Sequence, residues 1–279
     1  MFKFKHLKTD QFAGSNYHYI KHTLDYFLNS MDQLNIHYIE FYMACPHFSA
    51  VDASAADVRA LRRRLNERGQ KLCCTTYEQC TYPVNIASED PAIRERSIRT
   101  LERVIEQTSM LDCPYTQVLG GRGSYDLPES DAWKRAADAL SRLAERGAEC
   151  GVTMVIEEAS RATTNTVYTT PLTRKMLDEV NSPNFKAMLD ICATATAGED
   201  FRQCVQLLGP DFCHMHFADG TPGGHFVPGG GSLDLEGCLR AMDDVGYSGA
   251  VTFELYNKGY ETEPELYMKQ CFDYLDRIF

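Results

Sequence analysis

IHYIEFY at residues 36–42, followed by VDASAADVRALRRRLNERG at 51–69, sets the pattern from which the fold is read. The first run is short and rich in aromatic and β-branched residues, the composition of a largely buried strand. The second places apolar residues at helical intervals among charges and stops at Gly69, the form of an amphipathic helix with its terminator. The pair recurs as KLCCTTY (71–77) before EDPAIRERSIRTLERVIEQTSML (89–111), and as YTQVLGG (115–121) before PESDAWKRAADALSRLAERG (128–147). GVTMVIEE (151–158), FKAMLDI (185–191), DFCHMHF (211–217) and AVTFELY (250–256) continue the series, and QFAG (11–14) supplies a first strand. Eight strand-then-helix units imply parallel pairing, and in 279 residues they fit a single-domain α/β fold, a (β/α)8 barrel over residues 1–279. A doubly wound open sheet is the alternative, because alternation alone does not prove closure.

Helix punctuation agrees with these units. Pro91 suits a first turn behind Asp90, while Gly69 and Gly147 follow runs ending in NER and AER and are expected to stop their helices. TYEQCTYPVNIASED (76–90) is too long for an idle connection and is expected to form a lid or pocket wall.

The chain carries 28 Lys and Arg against 39 Asp and Glu, a net charge of −11, with 44% hydrophobic residues. That hydrophobic content suffices for a substantial core, and the acidic balance speaks against nucleic acid or an anionic membrane as partner. MFKFKHLKTD at the start lacks a sustained apolar run, and no uncharged stretch reaches membrane-spanning length. A cytoplasmic location is expected. The 11 cysteines include no CxxC pair and fit reduced, mostly buried thiols. A thiolate zinc site using Cys192 and Cys213 is the alternative for these residues.

Side-chain parity locates a candidate centre. Alternation puts Thr153, Val155 and Glu157 on one face of their strand, Met188 and Asp190 on one face of the next, then His214 with His216, and Thr252 with Glu254. If these faces line a barrel, Glu157, Asp190, His216 and Glu254 stand at comparable heights near its C-terminal mouth, where barrel enzymes carry their chemistry. Three convergent carboxylates repel one another unless a positive charge neutralises them. One divalent cation does so, and an oxygen-rich set with one imidazole suits Mn²⁺, with Mg²⁺, Co²⁺ and Zn²⁺ also compatible. Taken singly, each residue has a plainer role, as a buried ion-pair partner, a cap or a satisfied core histidine. Their joint placement on four consecutive strands favours the metal site. His214, deeper on its strand, reads as support or packing.

These segments, together with FAGSNYHYIKHTLDYFLNSMDQLNIHYIEFYMACPHF, HMHFADGTPGGHFVPGGG and EPELYMKQCFDYL, resemble the xylose-isomerase-like sugar phosphate isomerase and epimerase superfamily. The nearest branches are the fructoselysine 3-epimerases and the tagatose/psicose 3-epimerases. The resemblance implies a TIM barrel enzyme in which Glu157, Asp190, His216 and Glu254 bind one divalent cation per subunit and Glu157 and Glu254 are the catalytic acid/base pair. It implies a metal-dependent 3-epimerase of a ketose or fructosamine-type sugar derivative. In that chemistry the cation polarises a ketose carbonyl, one glutamate removes the C3 proton to give a cis-enediolate, and the other returns a proton to the opposite face. No organic cofactor is implied, the partner is a small sugar, and the expected assembly is a homodimer or homotetramer.

Glu40, His47, Asp219 and His225 are the candidate substrate contacts. Asp219 has turn capping as its alternative, and His47 has surface placement. The sequence departs from the tagatose/psicose pattern at Ala193, where a histidine is usual three residues after the aspartate, and this favours the fructoselysine-like side. Gly230 replaces the acid of a PGEG motif, and Arg122 in GGRGSYD is a candidate for a phosphate or carboxylate. An aldose–ketose isomerase and an inosose-type dehydratase are alternative reactions on the same residues. An endonuclease-IV-like phosphodiesterase and a nonenzymatic sugar-binding module are the other classes considered.

Overall fold

Asp90 accepts hydrogen bonds from the backbone of Ala92 and Ile93, and Pro91 occupies the first helical position, so the helix of residues Pro91–Met110 starts where its sequence signals place it. The computed structural model describes residues 3–279. Its strands are β1 (Phe12–Ser15), β2 (Tyr38–Tyr42), β3 (Lys71–Thr76), β4 (Tyr115–Val118), β5 (Thr153–Ile156), β6 (Phe185–Asp190), β7 (Phe212–Phe217) and β8 (Ala250–Phe253). All pair in parallel in chain order, and β8 closes on β1 through Phe12 opposite Val251 and Ala13 opposite Thr252. The fold is therefore a closed barrel, which removes the open-sheet alternative.

The helices are α1 (Leu24–Gln33), α2 (Ala55–Glu67), α3 (Pro91–Met110), α4 (Glu129–Cys150), α5 (Thr170–Val180), α6 (Ile191–Thr196), α7 (Phe201–Leu208), α8 (Leu235–Asp244) and α9 (Pro264–Ile278). None is long and apolar enough to cross a membrane among the described residues. The strands' outer faces pack beneath these helices. Phe12, Phe217 and Phe253 form a mutual aromatic contact with ring centroids 5.7–6.3 Å apart, each burying the large apolar area that dominates such cores.

Gly147 departs from its expected place. Helix α4 runs through it and ends instead at Gly151, whose φ of +70° is the left-handed geometry glycine adopts without penalty. A Cβ at Gly147 would lie 2.6 Å from the Val152 carbonyl oxygen, so the residue lets the helix end and the following strand approach closely.

The barrel interior below its mouth holds a small apolar cluster of Ala13, Cys73, Cys74, Val155, Met188 and Ala250. Adjacent Cys73 and Cys74 both join it because the β2–β3 register shifts between Ile39 and Glu40, where Ile39 pairs with Leu72 and Glu40 with Cys74. Such a bulge breaks simple alternation. Above this layer the inward side chains turn polar, and the βα loops at the C-terminal ends build the walls of a cleft.

Candidate functional site

Strand β5 ends at Ile156 and β8 at Phe253, so Glu157 and Glu254 each stand one residue beyond a strand. Asp190 is the last residue of β6 and the N-cap of α6, where its Oδ1 accepts from the backbone of Cys192 at 2.6 Å and of Ala193 at 3.3 Å. Its other oxygen, Oδ2, takes no part in that cap and meets His225. His216 reaches the same point from β7. Its Nδ1 lies 2.9 Å from Glu157 Oε1 and 3.1 Å from Glu254 Oε2.

One ligand atom from each of Glu157, Asp190, His216 and Glu254 lies within 4.8 Å of the others, a set that fits a single divalent cation in donor type and proximity. The structure thus brings together all four residues singled out by strand parity. The surroundings orient them. His216 Nε2 donates to Glu40 Oε1 at 2.9 Å, and His214 Nε2 lies 2.6 Å from Glu40 Oε2. The Thr76 hydroxyl also donates to Glu40 Oε1. This carboxylate fixes the imidazole ring with Nδ1 aimed at the centre, the arrangement that supports a histidine ligand. Glu40 is buried beneath the site, so its placement is that of a support to His216.

Electrostatics separate the two glutamates. Burial pushes the Glu157 carboxyl up, with Glu254 and Asp190 adding to the effect and His216 opposing it. Burial acts the same way on Glu254, but His216 and His225 outweigh it and hold that carboxyl well below its usual range. Burial also opposes charge on His216, yet Glu254, Glu40 and Glu157 together keep the imidazole protonated well above its ordinary value. His225 behaves alike, because Asp190 and Glu254 overcome its burial. These two imidazolium rings neutralise the carboxylates as a cation would.

His225 enters from the loop after β7, with Nε2 2.7 Å from Asp190 Oδ2 and 3.2 Å from Glu254 Oε2. Asp219 organises that loop. Its buried carboxylate accepts from the backbone of Gly220 at 2.8 Å, Gly229 at 2.9 Å and Leu233 at 3.0 Å, while its backbone pairs with Phe226. Asp219 therefore acts as the cap named as its alternative reading. His47 stands outside the cleft: Nδ1 bonds Asn16 Nδ2 at 2.9 Å and Nε2 bonds the His22 carbonyl at 2.9 Å. Asn16 in turn holds both backbone groups of Tyr42 at the end of β2.

A cleft of about 280 Å³ is lined by Glu157, Asp190 and Glu254, and its wall includes Tyr17, Tyr42, Glu78, Gln117 and Glu158. The 76–90 segment forms one side of it through Thr76, Tyr77, Glu78, Gln79 and Cys80, as a wall. Gln117 donates from Nε2 to Glu157 Oε2 at 2.6 Å, so both oxygens of that glutamate are engaged. Parity applied to YTQV would have found Gln117 beside its neighbour strand. Glu158 is buried, accepts from Thr194 Oγ1 at 2.9 Å, and has its carboxyl pushed well up by burial. Of the two cysteines weighed as thiolate ligands, Cys192 lies beside Asp190 and His225, but burial and Asp190 push its thiol up to about 12. Cys213 instead contacts the Asp211 carbonyl at the far end of β7.

Comparison with known proteins places this geometry in context. The chain is 28% identical over 237 residues to a fructoselysine 3-epimerase of Shigella flexneri, covering 84% of this chain and 86% of the relative. It is 24% identical over 213 residues to a ketose 3-epimerase of Arthrobacter globiformis, covering 75% and 72% respectively. Among solved structures, an L-ribulose 3-epimerase superposes with a TM-score of 0.83 at 18% identity, covering 95% of this chain and 93% of that one. The Escherichia coli 3-keto-D-glucoside 4-epimerase in apo form gives 0.81 at 14% identity, covering 96% and 99%. At these identities the structures speak for the fold. A family model described as xylose isomerase-like TIM barrel matches residues 29–278, and with the closed eight-stranded barrel this shows that the chain belongs to that family.

Proposed function

We propose that this protein is a divalent-metal-dependent 3-epimerase of a ketose or fructosamine-type sugar derivative. The observation that carries the reading is the convergence of Glu157 and Glu254, from β5 and β8, on one nitrogen of His216 beside Asp190. The activities named for the relatives, fructoselysine 3-epimerase and ketose 3-epimerase, support the same reaction class.

Glu157, Asp190, His216 and Glu254 would hold the cation, and Mn²⁺ is the first to try because three of the four residues donate oxygen. When bound, it supplies Lewis-acid polarisation of the ketose carbonyl and so acidifies the neighbouring C3 hydrogen. Glu157 and Glu254 perform the proton transfers. One carboxylate removes the C3 proton from one face of the sugar, and the other delivers a proton to the opposite face of the planar enediolate, which inverts C3. Their environments support a division of labour, since the Glu157 carboxyl is pushed up and that of Glu254 held down. Gln117 restrains Glu157, Glu40 restrains His216, and His225 of the β7 loop lies against Glu254.

The test is deuterium incorporation followed by NMR in heavy water, using Mn²⁺-loaded protein with fructoselysine, free ketohexoses and inososes. Deuterium at C3 together with the C3 epimer supports the reading. An aldose product would instead indicate transfer between C1 and C2, and loss of water would indicate a dehydratase.

A further inference from the structure

One cleft lies at the candidate metal centre. A second chamber of about 250 Å³ lies beside it and shares Gln79, Cys80, Leu119 and Thr163 with the first. The charge of the lining reverses between the two chambers. The near end carries Glu78, Glu157, Glu158, Asp190 and Glu254. The far chamber is lined by Arg96 and Arg122 and by no aspartate or glutamate, within a chain whose net charge is −11.

Arg122 is held there by its backbone. Its N–H donates to Asn85 Oδ1 at 2.9 Å and its carbonyl accepts from Asn85 Nδ2 at 2.8 Å. The preceding Gly121 has φ +69°, and a Cβ there would lie 2.8 Å from Asn85 Oδ1 and 2.9 Å from the Ala87 nitrogen. Only glycine suits that turn. The Arg122 guanidinium makes no hydrogen bond or ion pair among the described residues, whereas nearby Arg135 is paired with Glu89. Arg96 gives Nη2 to the Pro83 carbonyl at 2.8 Å and keeps its remaining donors. Cys80, at the junction, responds to both ends: burial and the charges of Glu78, Glu157 and Glu254 raise its thiol to about 12, and Arg122 opposes them.

We propose that the Arg122 chamber receives an oxyanion, a carboxylate or a phosphate, carried by the substrate at the end remote from its reacting carbons. The preferred substrate is then an extended ketose derivative that carries an oxyanion at its far end, and not a free ketohexose. A guanidinium fork matches either anion through paired, charge-assisted hydrogen bonds. This inference rests on the epimerase reading for the reacting end and adds the recognition of the far end.

The experiment compares Mn²⁺-loaded wild type with Arg122→Gln, Arg96→Gln and Arg122→Lys. The probes are fructose as the neutral ketose, fructose 6-phosphate as the phosphate bearer and fructoselysine, a zwitterion, as the carboxylate bearer. Exchange at C3 gives kcat/KM for each, and calorimetry gives binding of the same three compounds. The expected result is a wild-type preference for one oxyanion-bearing probe over fructose that falls at least about tenfold in Arg122→Gln, chiefly through KM, and recovers in part in Arg122→Lys. Which oxyanion-bearing probe is preferred identifies the group. Equal kcat/KM for all three probes in wild type, or an equal loss on all three in Arg122→Gln, overturns the proposal. If no probe exchanges at C3, the epimerase reading fails, and calorimetry still decides the chamber: arginine-dependent binding of an oxyanion-bearing probe sustains it, and arginine-independent or absent binding overturns it.

Discussion

His216 Nε2 stands 2.9 Å from Glu40 Oε1, and this bond turns the opposite nitrogen of the ring toward Glu157 and Glu254. The second oxygen of Glu40 holds His214, so one buried carboxylate clamps both histidines of the CHMHF strand. The ring orientation that makes His216 a candidate ligand is thus set from below, by a residue that is not itself one of the four.

Glu40→Gln is expected to lower Mn²⁺ affinity by about 10- to 100-fold, the usual effect of losing a partner that orients a histidine ligand. Glutamine keeps the shape but weakens the acceptor. Titration of the metal-free protein with Mn²⁺, followed by electron paramagnetic resonance, measures the change. Wild-type affinity in a folded variant would show that Glu40 contributes packing alone.

Glu157→Gln and Glu254→Gln should each abolish formation of the C3 epimer, with a loss of about 10²-fold or more expected for removing a positioned acid or base. The two variants should differ in exchange. Whichever glutamate is the base for a given epimer, its removal stops loss of the C3 hydrogen from that epimer, while the other variant still exchanges that hydrogen without inversion. Identical behaviour of both variants on both epimers would count against transfer on opposite faces.

The metal-free protein is expected to lose thermal stability as pH rises above about 6.5 toward the raised value of His216, apart from any general change in net charge. The folded-state value of His216 is raised by Glu254, Glu40 and Glu157 against the effect of burial. Its contribution is therefore fully present below its unfolded value of about 6.5 and is lost as pH rises through the folded one. Proton and cation compete for Nδ1, so Mn²⁺ affinity should increase over the same window. Melting curves with and without Mn²⁺ across this range test both signs, and an affinity that falls with pH would contradict them.

Glu158→Gln should stabilise the protein at neutral and higher pH and do little near pH 4. Burial raises the Glu158 carboxyl well above its ordinary value, and its Oε2 has no hydrogen-bond partner among the described residues. With the folded value above the unfolded one, the cost of this group grows as pH rises past the unfolded value of about 4.3. Glutamine retains the acceptor for Thr194 and removes the ionisable proton. A melting temperature unchanged at high pH would mean that the carboxyl is already satisfied there.

Asp219→Ala is expected to cost stability, because three backbone N–H groups lose their acceptor, each at about 1–3 kcal/mol where water does not replace it. The loop carrying His225 should loosen, raising KM while Mn²⁺ affinity changes little. Limited proteolysis between Gly220 and Leu233 would report the loosening directly. Resistance equal to wild type would place the loop's order elsewhere.

Strand-and-helix type, parallel order and the inward face of β5 to β8 were legible in the sequence, because each depends on residues close along the chain. Period-two alternation put Glu157, Asp190, His216 and Glu254 on the faces they occupy, and Asp90 with Pro91 marked a helix start. Local rules failed where one element packs against the next. Gly147 looks like a helix stop until Val152 is seen against it, and Cys73 and Cys74 share the interior only because a bulge shifts β2 against β3. His47 reads as a pocket residue, but Asn16 and His22 hold it outside the cleft. The clamp of Glu40 on His214 spans 174 residues of chain, and the arginine chamber joins loops after β3, β4 and β5. Periodicity determines what each segment becomes and which face it buries. Closure, register and loop packing decide which of those faces meet, since that free energy belongs to contacts between segments and to none of them alone.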